Sequence, residues 1–574
     1  MRYVFKYLSD YRKESILAPL FKLLEALFDL FVPIVVARII DQGIKTHNRP
    51  YIYGQVGLLF LLAFLGIAAS ITAQWFAAKA SVGAATRLRQ ATFDKVESLS
   101  FAKIDQLSPS SLITRLTSDI NQVQTGCNMA LRLLLRSPFI VFGSMIAAFL
   151  INVKAALIFL VAVPLLALVV FGIMLVSIPL YRKVQKSLDE ITRLTSENLT
   201  GVRVIRAFRK EKSEVAKFDA KLTAMTTLNE FVGRLSVALN PITYVMINLA
   251  MIALIWFGGQ EVNQGQMAQG QVVALYNYLA QMIVELIKLA SLIITINRAW
   301  ACGDRVGQVL ATENDLTYPE SGAKPQDKLI KVENVSFTYP GAGGPSISQI
   351  SFSVKPGETV GIIGGTGSGK TSLISLLTRF YDVTSGSLLL GGRKVQDYSK
   401  EDLLAQFALV PQKAQLFKGT IRDNLKYASS QASDADLWEA LKAAQAADFV
   451  SSKEGGLDFE LEQEGRNLSG GQKQRLTIAR ALVKKAGILM LDDSDSALDL
   501  ATSAKLRQSL AKLDPKPTTI LVSQRASSVM QADQILVLDD GKLAGRGTHA
   551  ELLKNNPVYQ EIYYSQFPKE KEGE

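Results

Sequence analysis

Nine consecutive residues carry the densest chemistry in this 574-residue chain: Gly364, Gly365, Thr366, Gly367, Ser368, Gly369, Lys370, Thr371 and Ser372. The first eight, Gly364–Thr371, fit the pattern G-x-x-x-x-G-K-[ST], directly after a strand-like run and at the opening of a helical one, which is the context the motif requires. The glycines let successive backbone N–H groups turn toward phosphate oxygens, and the helix N-terminus adds positive potential. Lys370 is placed to reach the β- and γ-phosphates of a nucleotide and the Thr371 hydroxyl to ligate Mg²⁺. A glycine turn with an incidental lysine is the competing reading, and the flanks argue against it. Downstream, the apolar run Ile488–Leu491 ends in Asp492, a carboxylate at a strand's C-terminal end that can hold the metal or its water.

The elements that must position these groups follow from the surrounding pattern. From about Ala299 to Lys328 the composition turns polar, and Pro319, Gly322 and Pro325 mark a linker. Beyond it, Leu329–Phe337 alternates like a strand, Glu358–Ile363 reads as a short buried strand and Ser372–Phe380 as a helix. The runs Ile488–Leu491, Thr519–Val522 and Ile535–Leu538 have strand length and lie between helical stretches. Strands alternating with helices predict a mainly parallel α/β sheet.

The first three hundred residues obey a different rule. Six apolar runs, near 16–40, 55–75, 134–152, 155–180, 238–258 and 271–296, each approach the ~20 residues that cross a hydrocarbon layer as a helix. Hydrophobic residues make up 48% of the chain and charged ones 20%, too apolar for an ordinary soluble enzyme. Lys and Arg number six in residues 79–115 and twelve in 181–235, against three (Lys45, Arg49, Lys154) in the alternate loops. Positive charge stays inside, so both termini are expected in the cytoplasm. The net charge of +11 is then the cytoplasmic-side excess of a membrane protein. The six spans exclude a soluble nucleic-acid-remodelling ATPase, and no nucleic acid partner is expected. Two cysteines and two histidines exclude a disulfide framework and a metal cluster. Met1–Glu14 reads as a short amphipathic helix on the inner membrane face.

The chain resembles the ATP-binding cassette (ABC) exporter family over nearly its whole length. The most specific element is Leu468-Ser469-Gly470-Gly471-Gln472, which matches the family's signature. The resemblance implies that Tyr339 stacks on adenine and that Gln412 touches Mg²⁺ and senses the membrane domain. It also implies that Asp499, in Ser-Ala-Leu-Asp, belongs to a loop signalling across a cassette dimer. It implies a fold of six transmembrane helices (1–300), a linker (301–327), an α/β P-loop ATPase cassette (328–565) and a charged tail (566–574). Leu112–Gln124 and Glu197–Phe208 resemble the family's two cytoplasmic coupling loops.

Two positions depart from the family. Asp493 stands where active cassettes carry the glutamate that positions the attacking water, and Gln524 where they carry a switch histidine. Aspartate is one methylene shorter, and an error of about 1 Å costs roughly 100-fold in rate; glutamine cannot carry the positive charge. The signature Ser469–Gln472 is intact. The expectation is a degenerate, slowly hydrolysing ATP·Mg²⁺ site, paired in a heterodimer with a second half-transporter whose active site receives this signature. The cargo is expected to be hydrophobic or amphipathic small molecules crossing the lipid bilayer of the cell membrane. Lipid or peptide export, or a nucleotide-gated regulator or channel, are the alternatives. Glu25 and Asp29 in the first span and Glu285 in the sixth are candidate substrate residues, because intramembrane charges often mark a pathway; such acids suit amphipathic cations. Pairing of Lys22 with Glu25 and of Glu285 with Lys288 is the competing reading. Asp41 resembles acids at the outer gate of related exporters.

Overall fold

The computed structural model describes residues 1–320 and 329–568, which form two compact units. Most of the expected linker is therefore described, while 321–328 and the charged tail from 569 lie outside the described residues.

The first unit, Met1–Glu97 with Pro109–Thr312, holds long helices at all six expected spans, and among the described residues all but the first, which carries Lys22, Glu25 and Asp29 along its length, are long and apolar enough to cross a membrane. The six are Arg12–Arg38, Arg49–Ser98, Pro109–Ile151 (interrupted), Val153–Thr200, Glu211–Asn263 and Gln269–Ala311. At 1.5 Å per residue a helix of 50 residues such as the second is about 75 Å long, far more than the ~30 Å hydrocarbon thickness. Large apolar side chains such as Phe60, Phe64 and Leu150 point outward, as lipid-facing surface should. Inside, Ala69, Ala73, Ala77, Ala80 and Ala84 of the second span are buried, small residues that let helices approach closely. Phe159, Leu254, Leu275, Tyr278 and Met282 fill the contact of the fourth, fifth and sixth spans. The N-terminal stretch forms the short helix Arg2–Leu8.

Two expectations shift. The sixth span continues to Ala311 rather than giving way near residue 300, because Cys302, Val306 and Val309 keep a buried face at helical spacing. The expected linker 301–327 is thereby cut to Thr312–Glu320 among the described residues. Between the second and third spans the separate short helix is Phe101–Leu107, capped by Ser100, upstream of the expected 112–124. That expected stretch is part of the third span's own helix, with one wide turn at Arg115–Asp119. The second expected short helix is found at Val202–Ala207.

The second unit, Glu313–Glu574 with Ser98–Ser108, is the cassette. Strands β1 (Ile330–Phe337), β2 (Ile347–Val354), β4 (Ser385–Leu390) and β5 (Arg393–Lys394) form an antiparallel sheet in the order β2-β1-β4-β5. The larger sheet comprises β3 (Thr359–Gly364), β6 (Phe407–Val410), β9 (Ile488–Asp492), β10 (Thr518–Val522), β11 (Gln534–Asp539) and β12 (Lys542–Gly547). Its order is β12-β11-β3-β10-β9-β6, and a separate ribbon pairs β7 (Gly419–Thr420) with β8 (Glu460–Leu461). All pairs of the larger sheet are parallel except that with the edge strand β12. β9 and β10 are buried at every residue, the continuous apolar runs that a sheet covered on both faces demands. β1 alternates because only one of its faces is covered.

Candidate functional site

Three neighbouring parallel strands deliver the site's chemistry from their C-terminal ends. In β3–β10–β9, Val522 lies opposite both Ile362 and Asp492, so the phosphate loop, the acid and the segment Ser523–Gln524 emerge side by side. Such strand ends are where open α/β sheets bind ligands.

The loop leaves β3 at Gly364 and enters the helix Lys370–Leu377. Gly367 and Gly369 have φ of 84° and 94°, the left-handed region only glycine enters freely. A Cβ on Gly369 would lie 2.7 Å from the Ser346 carbonyl, whereas one on Gly365 or Gly367 would meet nothing within 4 Å. The loop is thus pinned beneath at Gly369 and open above at Gly365 and Gly367. Lys370 Nζ donates to the carbonyls of Gly364 (2.9 Å) and Gly365 (2.6 Å) and to Ser368 Oγ (3.3 Å). Burial depresses its pKa, opposed by the charges of Asp493 and Asp492. The Thr371 hydroxyl donates to Asp492 Oδ1 at 3.3 Å, which puts two hard oxygens together as a divalent cation requires. Burial raises the pKa of Asp492.

Asp493 sits at φ 47°, a conformation a short polar side chain tolerates. Its N–H donates to the Val522 carbonyl at 2.9 Å, and its carboxylate accepts a long bond, 3.5 Å, from Gln412 Nε2. Burial, then the charge of Asp495, raises its pKa. Gln524 is exposed and its carbonyl accepts from Gln566 at 2.8 Å. Tyr339 donates to Ser372 Oγ at 3.1 Å; its ring meets Phe337 and Tyr381 edge-on, with centroids 4.7 and 5.2 Å apart. The structure therefore brings together Tyr339, the loop Gly364–Ser372, Gln412, Asp492 and Asp493.

The remaining nucleotide-site candidates stand on their own elements. Ser469 caps the helix Gly470–Val483 reciprocally with Gln472, and a Cβ on Gly471 would come 3.2 Å from the Ala497 carbonyl. Asp499 caps Leu500–Ala511, accepting from the N–H and hydroxyl of Thr502 at 2.9 and 2.8 Å. The sequence reading passed over Asp495, which is buried and accepts from the hydroxyls of Ser523 (3.1 Å) and Ser528. Arg525 adds bonds to the carbonyls of Asp495, Ser496 and Leu498. The loop after the acids is thus clipped to the loop bearing Gln524.

In the membrane unit the three candidate acids converge on one cation that the sequence reading missed, Arg136. It donates to Glu285 Oε1 at 2.5 Å and Asp29 Oδ2 at 2.9 Å, and lies 3.9 Å from Glu25 Oε1. Lys22 bonds Glu25, Lys288 bonds Glu285 at 2.9 Å, and Ser137 Oγ donates to Glu285 Oε2 at 2.7 Å. Both anticipated local pairs therefore exist, and three cations balance three acids. Asp41 accepts from the Gly270 N–H at 2.7 Å, capping the start of the sixth span.

Comparison with known proteins places these features in context. The ABC transporter transmembrane region family matches residues 15–286, and the ABC transporter family matches 347–496. An uncharacterised ABC transporter ATP-binding protein of Bacillus subtilis (strain 168), YfiB, is 36% identical over 99% of both chains. The ATP-dependent lipid A-core flippase of Photobacterium profundum is 30% identical over 98% of this chain and 97% of its own. A solved bacterial Atm1-family ABC exporter with ATP bound shares the fold, with a TM-score of 0.77 and 24% identity over 97% of this chain and 98% of its own.

Proposed function

The chain belongs to the ABC transporter family, and from that premise we propose that it is the slow-hydrolysing half of an asymmetric exporter pair. It is a multi-pass membrane protein with an ATP-hydrolysing cassette, and exporters of this kind work as dimers. The proposal concerns which half this is. The backbone N–H groups of the loop and Lys370 would bind the nucleotide's phosphates, and Thr371, Asp492 and Gln412 would hold Mg²⁺. The metal, when bound, neutralises charge on the phosphate oxygens. Lys370 must exchange its loop carbonyls for phosphate oxygens, which favours an anionic ligand over the resting arrangement.

The observation that carries the asymmetry is Asp493. Its short carboxylate is buried beside Asp492 and Asp495, anchored through its own backbone to β10, with one long bond from Gln412. A group so tethered cannot reach outward to a water as a longer side chain would. Gln524, the second departure, offers hydrogen bonds without charge. The intact signature Ser469–Gln472 would complete the companion's ATP site, and exposed Val204 and Phe208 around the short helix Val202–Ala207 would dock on the companion's cassette. Both termini would lie in the cytoplasm.

The proposed cargo is hydrophobic or amphipathic. The internal balance of Glu25, Asp29 and Glu285 leaves no surplus negative charge to favour cations. Lipid export is the second reading, supported by the relatives named as lipid A-core flippases. The test of the asymmetry is ATP turnover by the transporter purified through a tag on this chain with its companion. Asp493→Glu with Gln524→His should raise hydrolysis at this chain's own site at least about tenfold, since sub-ångström placement carries such factors, and so bring the pair's turnover, already carried by the companion's site, toward about twice its starting value. Unchanged turnover, or rapid hydrolysis by this chain with no companion, would contradict the proposal.

A further inference from the structure

The four residues after the phosphate-loop helix, Arg379-Phe380-Tyr381-Asp382, bind both stretches of chain that lead to the spans. Arg379 is buried at φ 54°. It donates to Asp382 Oδ1 and to the Thr317 carbonyl, each at 2.9 Å, and stacks on Tyr318 at 4.4 Å. Thr317 and Tyr318 follow the sixth span. On the other side, the Phe380 ring meets Phe101 at 4.5 Å, and the Tyr381 hydroxyl donates to Asp105 Oδ2 at 2.6 Å. Phe101 and Asp105 lie on the short helix joining the second and third spans in the chain. Ser98 and Ser100 hold that helix to Asn314 through bonds of 2.7 and 2.8 Å.

Tyr381 also faces the nucleotide site. Its ring lies edge-on to Tyr339, 5.2 Å between centroids, and Tyr339 is bonded to Ser372 of the phosphate-loop helix. We propose that Tyr381 is a positioning residue that conveys nucleotide occupancy at Tyr339, through its bond to Asp105, to the segment 98–108. The route is Ser372–Tyr339–Tyr381–Asp105, and every link is a direct contact. Burial and the Asp105 carboxylate keep the Tyr381 phenol protonated, well above its ordinary range, so the donor persists at any physiological pH. An aromatic ring is rigid, and a shift of Tyr339 when a base covers it must move the neighbouring ring or open a gap. This inference rests on the reading that Tyr339 sits against the adenine.

The experiment measures backbone hydrogen exchange of residues 98–108 in the intact transporter, with and without a non-hydrolysable ATP analogue and Mg²⁺. A parallel titration gives the analogue's affinity. The unsubstituted protein should show at least about threefold slower exchange in this segment with the analogue, the effect of strengthening one exposed hydrogen bond. Tyr381→Phe keeps the ring and should lose most of that response while analogue affinity stays within about twofold. Asp105→Ala should do the same, and the double variant should lose no more than either alone. A full response at unchanged affinity in Tyr381→Phe, or no response in the unsubstituted protein, overturns the inference. If instead Tyr339→Ala leaves analogue affinity unchanged, the placement of adenine is what fails.

Discussion

The charged groups of the nucleotide site and those around Arg136 in the membrane unit are built on opposite plans. At the nucleotide site the charges are poorly matched to one another. Lys370 bonds only uncharged oxygens of its own loop, Asp492 has one long bond to Thr371, and Asp493 one longer still to Gln412. In the membrane unit, Arg136, Lys22 and Lys288 meet Glu285, Asp29 and Glu25 in direct ion pairs, most no longer than 2.9 Å. The difference separates a binding site from a structural joint. A site that must take an anion and a metal keeps its charges underused, whereas charges carried on otherwise apolar spans are matched to one another.

Breaking the closed constellation should have the largest effect. Arg136→Gln takes the bonded guanidinium from Asp29 and leaves Glu285, which is 3% exposed, with Lys288 and Ser137 alone; it should cost about 3 kcal/mol, the low end for breaking a buried pair, read as unfolding of the detergent-solubilised transporter. Lys370→Ala should do the reverse, leaving stability nearly unchanged while weakening ATP binding at this chain's loop about 100-fold, as loss of a preorganised charged donor does. Photolabelling of this chain by an azido-ATP resolves that. Asp41→Ala should destabilise by about 1 kcal/mol, the value of a helix cap, and should speed amide exchange at Gln269–Gln271. The smallest effect concerns Asp493. Its raised pKa means that the ionised carboxylate opposes folding at neutral pH, a penalty relieved as pH falls and the group protonates. Asp493→Asn should therefore raise the unfolding midpoint by about 2 °C at neutral pH, with the gap closing as the solution is acidified through the carboxylate's raised pKa. A gap that widens on acidification would show the carboxylate to be stabilising.

The two constellations were also unequally legible in the sequence. The phosphate loop is contiguous, its chemistry is carried by local backbone geometry, and Asp492 ends an unmistakable buried strand. Arg136 escaped notice because its partners Asp29 and Glu285 lie 107 and 149 positions away; the available signal was a lone arginine heading an apolar run. The short helix Phe101–Leu107 hid behind dispersed charge, although Ser100 as a cap and Pro109 after Ser108 (φ 58°) punctuate it. The sixth span outran its hydropathy because Cys302, Val306 and Val309 continue the periodicity where the membrane no longer demands it. Tyr381 carried no spacing signal, for its importance lies in contacts between distant segments.

The central claim is that this chain's pocket grips nucleotide while its counterpart splits it. The direct measurement is the chemical state of nucleotide retained by the cycling transporter, assigned to each chain by photo-crosslinking from doubly labelled ATP. The account predicts intact triphosphate on this chain after many turnovers, and diphosphate appearing there at an appreciable rate only once Asp493→Glu and Gln524→His are introduced. Diphosphate forming on the unsubstituted chain as fast as on its companion would contradict it.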